Sequence, residues 1–109
     1  AQLGLGARVH CCRDLDDPQL PARFDTIVCL DVLEHLADPA GQLELFAARM
    51  GPEATALLNW YFFKGHNGEY PFHFDDPVLV ERFFRTLQGR FIEVFHPWLI
   101  TTRAYRLMT

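Results

Sequence analysis

The chain has 109 residues, of which 50% are hydrophobic and 14% aromatic, enough for one domain with a packed core and too apolar for a disordered tail. Its formal net charge of −4 leaves no basic footprint, so a nucleic-acid partner is not expected. No apolar run approaches the roughly 20 residues of a membrane helix, and no signal peptide stands at the start, so no membrane association is expected.

The chain begins at Ala1 rather than at Met, and is expected to be a fragment or a processed chain. Gly4-Leu5-Gly6 invites comparison with a phosphate-cradling loop, but such a loop follows a strand and opens a helix. Here the glycines precede a strand-like run over residues 7–12, so a turn entering a strand is expected. Cys11, Cys12 and Cys29 all fall in strand-like apolar runs and read as small buried hydrophobes of a reducing compartment, the cytoplasm. Cys11 and Cys12 point to opposite faces of their strand and cannot share a metal. Residues 13–18 are polar and turn-forming.

Residues 24–39 carry the main signal. Ile27 to Leu30 is an apolar run too short for a helix and rich in β-formers, as a buried parallel strand should be. It stops at Leu30-Asp31, and polar side chains follow on the strand's carboxyl side, where open α/β sheets bind ligands. Asp38-Pro39 pairs an N-cap residue with proline at the first helical position. Leu43, Phe46, Ala47 and Met50 form the apolar face of the predicted helix, with Gly51 as its stop.

A strand is predicted over residues 53–59, with Ala56-Leu57-Leu58 as its buried part. Residues 60–74 are heavily aromatic around a break at Lys64-Gly65-His66-Asn67-Gly68. These rings either line a site for a planar or apolar molecule or cover the sheet. Asp76-Pro77 repeats the capping device before a helix with Leu79, Val80, Phe83, Phe84 and Leu87 on one face, and Gly89 as its stop. Two strands over residues 91–95 and 100–107, joined through His96-Pro97-Trp98-Leu99, read as a hairpin-like pair. The fold class is α/β, with parallel strands, helices and a terminal antiparallel hairpin.

The stretch Phe24-Asp25-x-Ile27-Val28-x-Leu30-Asp31-Val32-Leu33-Glu34-His35-Leu36-x-Asp38-Pro39 resembles the fourth strand and following turn of class I S-adenosylmethionine-dependent methyltransferases. The nearest likeness is to the group that includes ubiquinone-pathway O-methyltransferases. The resemblance implies a partial Rossmann-like methyltransferase fold over residues 1–109, with residues 7–12 as the family's third strand and residues 53–59 as its fifth. It implies an antiparallel strand inserted beside that fifth one. Asp14 matches the acidic residue that accepts from the cofactor's adenine amino group, although Asp14, Asp16 and Asp17 also suit a solvated turn. Leu15, Leu30 and Asp31 are the further cofactor-binding positions it implies. The family's first strand and Gly-rich loop lie upstream of its third strand, so this chain matches the C-terminal two-thirds of such a domain. Alone it is expected to be inactive, and the activity, methyl transfer to an O or N of a small-molecule acceptor, belongs to a longer chain.

His35 and His73 are the candidate bases, since an unperturbed imidazole titrates near neutrality, and either also suits a structural role. Asp31, Glu34 and His35 are spaced to share one face. With His73 they resemble the ligand set of Mg²⁺-using methyltransferases. Asp31 shortens the reach of the glutamate expected there, so no metal is expected and Mg²⁺ at Asp31, Glu34, His35 and His73 stands as the alternative. Two other readings stay open: a methyltransferase-like module that serves as a non-catalytic interaction scaffold, and an unrelated α/β nucleotide-binding or regulatory domain. Paired strands after Gly89 argue against the last.

Overall fold

The computed structural model describes residues 23–108. The elements are β1 (Phe24–Cys29), a 3₁₀ turn (Leu33–His35), α1 (Pro39–Arg49), β2 (Met50–Leu58), α2 (Pro77–Arg90), β3 (Phe91–Val94) and β4 (Arg103–Leu107). The strand expected over residues 7–12, with Cys11, Cys12, Asp14 and Leu15, lies outside the described residues.

These elements form a small α/β domain on a four-stranded mixed sheet of order β1-β2-β4-β3. β1 and β2 are parallel, with Val28 opposite Leu57 and Cys29 opposite Leu58, and α1 provides the connection that a parallel pair requires. The register slips between Phe24 and Thr26. Pro52, which has no N–H to donate, falls in that irregular stretch of β2. β4 enters between β2 and β3 and runs antiparallel to both, so the last two strands pair as the sequence suggests.

Alternation decides which face is covered. Ile27 and Cys29 of β1, and Ala54, Ala56 and Leu58 of β2, are buried in one cluster with Leu43 and Phe46 of α1 and Phe83 and Leu87 of α2. The intervening side chains point the other way, and there Val28 is 60% and Ile92 57% exposed. Both predicted helix faces therefore meet the same side of the sheet.

The helix starts follow the expected chemistry. Asp38 accepts from the Gly41 amide at 3.0 Å and Asp76 from the Val78 amide at 2.9 Å, each with proline in the first turn. The helix ends differ from expectation. α1 closes at Arg49 because Met50 is already extended (φ −97°, ψ 133°) and 1% exposed as the first residue of β2. Met50 is thus core, but in the sheet rather than on the helix, and Gly51 lies in the strand. α2 likewise runs through Gly89 and stops where Phe91 takes up extended geometry (φ −128°, ψ 154°) and buries its ring. Neither glycine has positive φ, so neither acts as a left-handed cap. In both cases burial of the first strand residue ends the helix.

Candidate functional site

The topology brings three strand ends to one edge. The carboxyl ends of the parallel β1 and β2 lie side by side, and because β4 runs the opposite way, its amino end (Arg103 opposite Leu58) joins them. A cleft of about 700 Å³ opens there. A volume of that order suits a small organic molecule.

β1 ends in a locked corner. Asp31 has φ 59°, the left-handed region that aspartate tolerates better than most side chains. Its amide donates to Asn59 Oδ1 at 2.6 Å, and Asn59 Nδ2 donates back to Asp31 Oδ1 at 3.3 Å. Asn59 also donates its amide to the Cys29 carbonyl at 3.4 Å, which extends the β1–β2 ladder by one step. The two strand ends are thereby tied together at the cleft mouth.

The segment between β2 and α2 folds back as a second wall. Gly65 (φ 90°) makes the turn. A Cβ there would collide with the Glu69 carboxylate, which accepts from the Asn67 amide at 3.1 Å. Hydrogen bonds from its own amide and from Asn67 hold the exposed Glu69 carboxyl below its ordinary range. The Tyr70 amide donates to the Lys64 carbonyl and the Phe74 amide to the Glu34 carbonyl, the latter at 2.8 Å. That last bond pins the aromatic segment onto the turn after β1. Trp60 packs edge-on against Phe83 and Phe84 while Arg103 lies 5.9 Å above its ring.

His73 is oriented by this wall. Its Nδ1 lies 3.1 Å from the Phe63 carbonyl. A carbonyl only accepts, so Nδ1 carries a proton, and in the neutral ring Nε2 is the nitrogen with the lone pair. Its ring stacks on Tyr70 (centroids 4.9 Å, 15°) and meets His35 edge-on at 4.6 Å. Glu34, next to His35 in the turn, is 3% exposed, and its Oε2 has no hydrogen-bond partner among the described residues. Burial, reinforced by the nearby Glu34 charge, pushes the Cys29 thiol up to about 11.

Of the residues singled out in the sequence, Asp31, Glu34, His35 and His73 all line the cleft. Leu30 stands at the end of β1, 42% exposed and outside the lining, and Asp14 and Leu15 fall outside the described residues. Asp31, Glu34 and His35 do not share a helical face: the 3₁₀ turn buries Glu34 and leaves the other two exposed. Among the described residues no group of three or more His, Cys, Asp or Glu side chains is arranged to hold a metal ion. None of their helices is long and apolar enough to cross a membrane.

The structure adds Asn59 and Arg103 to the site. Asn59 closes the apolar run of β2 as Asp31 closes that of β1, and that parallel was a usable signal. Arg103 has no local signature and reaches the cleft only through the antiparallel course of β4. The aromatic segment lines the cleft with Trp60, Tyr61 and Tyr70 and also packs on the core with Trp60 and Phe62. No protein-family model matches the chain, and a search of curated proteins finds no significant match.

Proposed function

We propose that the cleft belongs to an S-adenosylmethionine-dependent methyltransferase of Rossmann-like fold, acting in the cytoplasm, as part of a longer chain, on an O or N of a small-molecule acceptor. The observation that carries this reading is the meeting of His35 and His73, centroids 4.6 Å apart, in a cleft at the carboxyl ends of two parallel strands beside Asp31. An antiparallel β4 lying next to β2 accords with the family resemblance of residues 24–39.

The donor set suits the cofactor's charge. A sulfonium and its ammonium group are cationic, and the cleft offers the acidic Asp31 together with aromatic faces. Asp31 and Asn59 would hold the cofactor at the strand ends, with Leu30 beside them. When bound, S-adenosylmethionine supplies an electrophilic methyl group. His73 then takes the acceptor's proton at Nε2, because Nδ1–H is committed to the Phe63 carbonyl. Tyr70 and His35 hold its ring in place by stacking and edge contact, so the lone pair keeps a fixed direction. Positioning of this kind supplies most of the acceleration in an in-line displacement.

Titration calorimetry of S-adenosylhomocysteine into the folded chain tests the reading. Saturable heat that weakens by about tenfold in Asp31→Ala is the expected result. A folded chain that gives no heat would mean that cofactor binding depends on upstream segments of the longer chain or that the module serves as an interaction scaffold.

A further inference from the structure

We infer that the acceptor side of the cleft takes a ring-bearing amine in its protonated form, with the ammonium received by Glu34 and the ring by the tyrosine wall. This rests on the methyl-transfer reading only in naming that ligand the acceptor; the binding argument stands on the cleft alone.

Glu34 is the deciding residue. It is 3% exposed, lines the cleft, and its Oε2 has no hydrogen-bond partner among the described residues. A buried carboxylate oxygen without a donor costs free energy that a fitting ligand returns. Neither histidine meets that need. His73 commits Nδ1 to the Phe63 carbonyl, and His35 touches His73 through its ring. No described residue supplies the donor, and an occupant of the cleft would.

Charge selects a cation over a neutral donor. The lining includes the acidic residues Asp31 and Glu34 and the basic Arg103. Arg103 is already engaged by Glu93 at 3.2 Å and by the Trp60 ring, so the unbalanced charge facing the cleft is negative. Aromatic faces add to that preference. Tyr61 and Tyr70 meet edge-on at 5.5 Å in the same wall, presenting π surface that favours both a flat ring and an attached ammonium.

The experiment compares benzylamine with benzyl alcohol, which has the same size and ring but no charge, by titration into the 109-residue chain. Benzylamine is expected to bind at least about tenfold more tightly than benzyl alcohol, and Glu34→Gln to abolish that difference. Equal affinity for the two probes, absence of binding by either, or an unchanged preference in a folded Glu34→Gln chain overturns the inference. Should Glu34→Gln not fold, the two-probe comparison on the unaltered chain decides, read also at the His73 ring protons by NMR. Neither probe requires S-adenosylmethionine. Benzylamine binding without S-adenosylhomocysteine binding would therefore remove the cofactor site from this chain and leave the amine site standing.

Discussion

Glu34 shows how a single buried side chain can oppose stability and serve binding at once. With Oε2 buried and unpaired among the described residues, replacement by a side chain of similar length without charge should be favourable to the fold. Glu34→Met is expected to raise stability by about 1–3 kcal/mol in urea denaturation while losing the benzylamine preference. A drop in stability would show that the carboxylate is satisfied in solution. Cys29 makes a second residue-level case. Its thiol is 9% exposed and pushed from 9.0 to about 11, so at pH 8 it should be alkylated far more slowly than a free thiol, as read by mass spectrometry of its own peptide. The sign of the pH effect follows. Between 9.0 and about 11 the unfolded chain gives up this proton first, so stability falls as pH rises through that window; Cys29→Ala removes this thiol's share and leaves that of Tyr105, whose hydroxyl burial also pushes up.

At the scale of elements, local chemistry and tertiary burial divide the work. Asp38 and Asp76 could be read in the sequence because a cap acts within its own turn, and Asp76→Ala should cost about 1 kcal/mol in thermal or urea unfolding. Gly51 and Gly89 misled because the stop rule assumes a left-handed exit, whereas here Met50 and Phe91 pull the chain straight into strands. Gly89→Ala should accordingly stabilise the fold by up to about 1 kcal/mol, since its Cβ meets nothing within 4 Å and the residue is helical. A loss of stability would restore the left-handed cap. The candidate site divides in the same way. Asp31, Glu34 and His35 follow a strand within a few residues, so their placement was legible in the sequence. Which of them would be buried was not, because the 3₁₀ turn and the Phe74–Glu34 bond decide it. Arg103 was beyond reach, since its position depends on how β4 pairs with β2.

Across the whole molecule, Trp60 joins core and cleft. One ring touches Phe83 and Phe84 of α2, Tyr105 and Arg103 of β4, and the cleft lining. Trp60→Ala is expected to cost about 3 kcal/mol and to weaken ligand binding in the same variant. Loss of binding with stability unchanged would mean that the ring serves the cleft alone. The Asp31–Asn59 exchange works across a comparable span, for each residue supplies what the other lacks: Asp31 an amide presented at positive φ, Asn59 a side chain that both gives and takes. A change at 59 takes the acceptor from the residue-31 amide, a change at 31 takes only the acceptor of Asn59 Nδ2, and position 31 admits chiefly residues that accept a left-handed backbone, Asp, Asn and Gly. Among descendants of this sequence the two positions should therefore be inherited as a pair: a Gly at 31 should relax what is tolerated at 59, whereas drift at 59 alone should be purged.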